Sequence, residues 1–141
     1  MNISNRGLYF IKNYEKLRLK SYQDSADVWT IGYGHTGMVC YGDEITEQEA
    51  EDLLRDDLLI TETYINSKEL KLSQNQYDAV VSLVFNIGIG AFGSSTMIKL
   101  IKRDPDDLYI SSEFVRWIKA GGVARLGLLR RRIDECKLYF T

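Results

Sequence analysis

A chain of 141 residues, 45% hydrophobic and 27% charged, has the size and composition of one globular domain and excludes a disordered segment. Its formal net charge of −2 speaks against nucleic acid as the main partner. No apolar run approaches the roughly 20 residues needed to cross a bilayer, and Asn2, Ser4, Asn5 and Arg6 interrupt the start of the chain, so neither a membrane anchor nor a signal peptide is expected.

In chain order, the spacing of Ile3, Leu8, Ile11 and Tyr14 predicts a helix from Ser4, its N-cap, to about Tyr14. From Leu17 to Val39 the chain turns rich in glycine, aromatic and β-branched residues. Leu19, Tyr22, Val28, Trp29, Ile31 and Tyr33 predict two or three short antiparallel strands, turning near Asp24–Asp27 and again near His35–Gly37.

Everything from Thr46 onward reads as helix. Thr46 to Glu49 is a capping box, in which the hydroxyl caps an orphan N–H and the Glu side chain returns to the cap. Ala50, Leu53, Leu54, Leu58, Thr61 and Ile65 continue it as one buried stripe. Ser73 to Gln76 is a second capping box, opening a helix Tyr77–Ile87 that is apolar nearly all round and so central, with Gly88 and Gly90 to stop it. A short helix is expected over Thr96–Lys102. Asp104-Pro105 reads as a cap with proline at the first helical position, starting a helix through Phe114, Trp117 and Ile118 that Gly121-Gly122 ends. The last helix is placed from about Gly127 to Leu138.

The expected architecture is therefore α+β, a single domain over residues 1–141. Its β-rich lobe covers about 17–39 and its larger helical lobe about 46–141 together with the helix 4–14. A cleft between two such lobes is a natural ligand site. Cys40 and Cys136 lie far apart with no metal-type spacing, so two free thiols are the simplest reading. Arg125, Arg130, Arg131, Arg132 and Lys137 make a basic stretch, read either as a solvated helix face or as a holder of an anionic polymer or of a catalytic carboxylate.

For chemistry, the chain offers no phosphate loop and no glycine-flanked serine, and its one histidine, His35, rules against a triad or a histidine-rich metal site. No metal or cofactor is expected. Carboxylates remain, and among the 20 of them Glu15 is singled out by place, because it ends the first helix just before the strands. Asp24 follows in the first turn and Thr30 lies on the next strand. A helix end and a hairpin can set an acid and a carboxylate on opposite sides of a glycosidic bond. On spacing alone, Asp24 reads equally as an ordinary Asx-turn residue.

Glu15, Asp24 and Thr30, with the run Trp29-Thr-Ile-Gly-Tyr-Gly-His-Thr36, resemble the active-site signature of the phage-type lysozymes, glycoside hydrolase family 24. The resemblance continues through Val84-Phe-Asn-Ile-Gly88, Ala91-Phe92 and Ser95-Thr96, then Trp117, Gly121-Gly122 and Gly127-Leu128 with Arg131-Arg132 and Glu135, and so covers nearly the whole chain. It departs at Lys16 and Asp27, where the family usually has glycine. Glycine at such points often supplies a positive φ, which lysine tolerates less well than aspartate.

The resemblance implies a lysozyme-like fold and a muramidase. Glu15 would protonate the β-1,4 bond between N-acetylmuramic acid and N-acetylglucosamine, while Asp24 and Thr30 position water. Gly34, Phe85, Asn86 and Arg131 are the expected substrate-binding residues, with Arg131 also the first candidate, ahead of Arg130 and Arg132, to hold Glu15. It further implies peptidoglycan strands as partner. The lack of a signal-peptide pattern points to synthesis in the host cytoplasm, with action on the wall after release through a separate pore, and a monomer is the default for a cleft enzyme of this size. Two rivals are a lytic transglycosylase, which needs no water-positioning Asp, and a degenerate glycan-binding or structural domain, which Lys16 and Asp27 keep open. His35 is expected to pair with a carboxylate of the helical lobe. Trp29 and Tyr33 divide between core packing and sugar stacking. Asn5 and the acidic stretch Asp43 to Asp57 read as surface.

Overall fold

A computed structural model describes residues 1–141. Its elements run α1 (Asn5–Glu15), β1 (Arg18–Gln23), β2 (Trp29–Gly32), α2 (Glu47–Ser67), α3 (Gln74–Ile87), α4 (Ile89–Gly93), α5 (Thr96–Arg103), α6 (Ile110–Phe114), β3 (Lys119–Ala120), β4 (Val123–Ala124) and α7 (Leu126–Tyr139). This is the expected α+β class. The chain forms two compact units, Tyr9–Ile60 and Met1–Leu8 with Thr61–Thr141, whose boundaries fall inside α1 and α2. None of the helices is long and apolar enough to cross a membrane.

The first unit is built around the antiparallel pair β1–β2, in register Tyr22↔Thr30 and Gln23↔Trp29, with a bulge between Arg18 and Tyr22. Ile11, Ile31, Tyr33, Ala50, Leu54 and Leu58 are its buried apolar residues. The stripe read from sequence accounts for the last three. The Thr46 box forms as expected, with Glu49 N–H donating to Thr46 Oγ1 (3.1 Å) and Thr46 N–H to Glu49 Oε1 (3.2 Å).

In the second unit α3 packs against α7, and Tyr77, Val80, Val81, Leu83 and Val84 are fully buried. The Ser73–Gln76 capping box opens α3, and the Gly88 N–H closes it on Val84 O. The helix is less apolar than its pattern suggested, because Gln76, Asp78 and Ser82 are buried with partners. Asp78 accepts the Ser4 N–H (3.0 Å) and its hydroxyl, while Ser4 Oγ caps α1 through the Gly7 N–H (3.1 Å).

Two expectations are corrected here. No helix begins at Pro105, because Asp104 Oδ1 accepts the Asp106 N–H and Asp107 Oδ1 accepts the Tyr109 N–H. Two successive Asx-turns thus delay α6 to Ile110 and leave it five residues long. Gly121-Gly122 does not end a helix either. With φ 58° and 76°, the pair turns the hairpin between β3 and β4, a conformation open to glycine and costly to residues with a Cβ.

Lys16 and Asp27 both take the left-handed backbone, φ 59° and 60°. Lys16 is the first residue past α1, its N–H still bonded to Lys12 O (3.1 Å), a helix end that glycine ordinarily fills. Lys16→Gly relieves about 1–2 kcal/mol of left-handed strain and returns about 0.5–1 kcal/mol to the unfolded chain. A net gain of up to about 1.5 kcal/mol is expected, a Tm rise of at most about 3–6 °C. Asp27→Gly should leave Tm nearly unchanged, since aspartate visits this region readily. Thermal melts of the two variants check the contrast, and a lowered Tm for Lys16→Gly contradicts it.

Candidate active site

Glu15 closes α1, half-buried, and is set by the last turn of that helix. One turn earlier Lys12 reaches Glu51 of α2 (Nζ to Oε1, 3.0 Å) and lies 5.7 Å from the Tyr33 ring centre. The hydrogen bond from Lys12 draws the Glu51 carboxyl below its ordinary range against the opposing effect of burial.

Downstream of β2 the chain folds back tightly, the Ile31 and His35 backbones exchanging two hydrogen bonds of 2.9 Å each. Gly34 sits in this turn at φ 86°, and a Cβ there would lie 3.6 Å from Glu15 Oε2. That spacing is ordinary van der Waals contact, so the positive φ rather than room for the carboxylate calls for glycine here. His35 fixes the turn from the other side, with Nδ1 2.9 Å from Asp57 Oδ2 and Nε2 donating to Gly37 O (2.8 Å). The histidine thus pairs with an α2 carboxylate as expected. Reading Asp43 to Asp57 as plain surface overlooked this, because Asp57 and Glu51 are half-buried and paired.

Asp24 and Thr30 are joined through Val28. Asp24 Oδ1 accepts the Ala26 N–H (2.8 Å) and the Val28 N–H (2.9 Å), so the Asx-turn reading holds. Val28 O in turn accepts the Asp24 N–H (2.9 Å) and the Thr30 hydroxyl (2.9 Å). Thr30 is buried and Asp24 half-buried. Two backbone donors on one oxygen fix the plane of the Asp24 carboxylate. Thr30 has spent its proton on Val28 O, so its oxygen faces any further partner as an acceptor.

Phe85, Asn86 and Arg131 lie in the other unit. Phe85 is half-buried and Asn86 exposed at the end of α3. Arg131, 4% exposed, donates Nε to Glu135 Oε1 (3.1 Å) and Nη2 to the Ser82 backbone and hydroxyl oxygens (3.3 Å each). Arg132 donates to the same Glu135 oxygen (2.6 Å), and the Ser82 hydroxyl is its third donor (3.0 Å). Burial pushes the Glu135 carboxyl above its ordinary range, against the opposing pull of Arg132 and Arg131. This cluster was missed as a unit. Its signal was present, since Arg131 and Arg132 precede Glu135 by four and three residues on one helix.

Trp29 stands half-buried, edge-on to Tyr41 (centroids 5.6 Å), and Tyr33 is core. Cys40 and Cys136 are free thiols.

The chain matches the phage lysozyme family over residues 12–135. It is 46% identical over 144 residues to the endolysin of Acyrthosiphon pisum secondary endosymbiont phage 1, covering 99% of this chain and 98% of that protein. Among solved structures it resembles a mutant of the lysozyme of Salmonella phage P22, at 39% identity and a TM-score of 0.92 over 100% of this chain and 99% of that one. It also resembles the muramidase domain of SpmX from Asticaccaulis excentricus, at 36% identity and a TM-score of 0.91 over 99% and 98%. The chain belongs to the phage lysozyme family.

Proposed function

We propose that Glu15 protonates the glycosidic oxygen of the N-acetylmuramic acid to N-acetylglucosamine bond while Asp24 and Thr30 deliver the attacking water. As a member of this family the chain is a peptidoglycan hydrolase, and these residues are its working parts. The observation that carries the assignment is the turn in which Asp24 and Thr30 share the Val28 peptide groups, on the hairpin whose next turn sets Gly34 against the Glu15 carboxylate.

The reaction follows from the donors and acceptors. A water donates one proton to Thr30 Oγ1 and the other to the free side of the Asp24 carboxylate, which leaves a lone pair for the anomeric carbon. Asp24 takes the second proton as the C–O bond forms, and Glu15 gives its own to the departing oxygen. Water on the face opposite the acid inverts the anomeric centre, a course that needs roughly 6.5–9.5 Å between the two carboxyl groups. Asn86 and Phe85 serve the sugar as an amide partner for an N-acetyl group and an apolar contact.

Lys16 and Asp27 keep the left-handed backbone without glycine, which weighs against a degenerate domain. The products test the proposal. Digestion of purified peptidoglycan followed by mass spectrometry should give fragments with reducing muramic acid ends, whereas anhydro ends would assign a transglycosylase.

A further inference from the structure

We infer that Arg132 is a positioning residue for substrate binding, holding Asn86 and the strand-leading segment at Trp117 as two walls of one sugar subsite. The inference deepens the proposed function and rests on its reading of Asn86 as a sugar contact. Arg132 is fully buried, and its guanidinium points three ways. Nη2 is anchored on Glu135 Oε1 (2.6 Å), while Nη1 donates both to Asn86 Oδ1 (2.9 Å) and to Trp117 O (3.3 Å). Asn86 ends α3, and Trp117 leads into the β3–β4 hairpin, whose base is closed by the Arg125 N–H on Ile118 O (2.8 Å). These walls, with Ile87, Lys119, Ala120 and Leu128, line a cavity of about 330 Å³.

A buried cation shared between an exposed amide and a backbone carbonyl does more than stabilise the helix it stands on. With its carbonyl oxygen engaged by Arg132, the Asn86 amide has one orientation, in which the NH₂ group points away as a donor. An N-acetyl carbonyl is the acceptor such a donor fits. Only a planar fork reaches the anchor and both walls, so lysine keeps the charge and loses the geometry.

The test is a double-mutant cycle read by KM and kcat on soluble glycan fragments. Arg132→Lys and Asn86→Ala should each raise KM by about threefold to tenfold, the worth of one directed hydrogen bond, with kcat kept. The double variant should fall short of the product of the two single effects, because part of the Arg132 effect runs through Asn86. A merely structural arginine would lower Tm and leave KM per folded molecule unchanged, and that result overturns the inference, as do KM effects that multiply in the double variant. An unchanged KM in Asn86→Ala overturns the sugar-contact reading itself, and this role with it, whereas an inactive parent chain overturns the proposed function.

Should Arg132→Lys fail to fold, the motion of the Asn86 side-chain amide by NMR in the unmutated chain decides the matter. An amide held rigid supports the inference, and one as free as that of exposed Asn13 contradicts it.

Discussion

Glu15→Gln should slow hydrolysis of peptidoglycan by about 100-fold to 10,000-fold, the range a single general acid contributes, and leave the chain folded. Glutamine reproduces the shape of the side chain and one carbonyl acceptor but has no proton to give at neutral pH. Its position limits the structural cost, since Glu15 is half-buried at a helix end and meets Gly34, where no side chain can clash. Clearing of chloroform-treated Gram-negative cells measures the loss, and a thermal melt within about 2 °C of the parent, less than 1 kcal/mol at this size, shows that the loss is chemical. Clearing at the parental rate would remove Glu15 from the reaction.

Asp24→Asn separates the two duties of that residue. Asparagine is a good Asx-turn former and its amide oxygen can accept the Ala26 and Val28 N–H groups as Asp24 Oδ1 does, so the turn and its tie to Thr30 survive. What disappears is the carboxylate that receives the proton of water, and a fall of at least about 100-fold is expected. Asp24→Ala should lose as much activity and also about 1–3 kcal/mol of stability, from two hydrogen bonds at about 0.5–1.5 kcal/mol each. An Asp24→Asn variant that retains activity would reduce this residue to its turn.

Much of this arrangement was legible in the sequence, because local physics and function pointed the same way. The two capping boxes gave the starts of α2 and α3, and a glycine-rich, β-branched stretch gave the hairpin. The positions of Lys16 and Asp27 marked a left-handed backbone that both residues adopt. The failures lie where one pattern serves two conformations. Asp104-Pro105 can cap a helix or open an Asx-turn, and only the competition with Asp107 decides it. Gly121-Gly122 can stop a helix or turn a hairpin, and two-residue strands carry too little alternation to tell. Tertiary pairing was least visible. Nothing local announces which carboxylate of α2 holds His35, that Asp78 receives the N-cap of α1, or that Arg132 grips Asn86 across 46 residues of sequence.

The most direct test of the central claim, water driven by Asp24 onto the face opposite Glu15, is the configuration of the first product. Proton NMR during the initial minutes of digestion of a soluble β-1,4 glycan reports the new reducing end before it equilibrates. The α-anomer should appear first. Early β-anomer would mean that the water does not arrive opposite the acid, and would contradict the assignment of these two carboxylates.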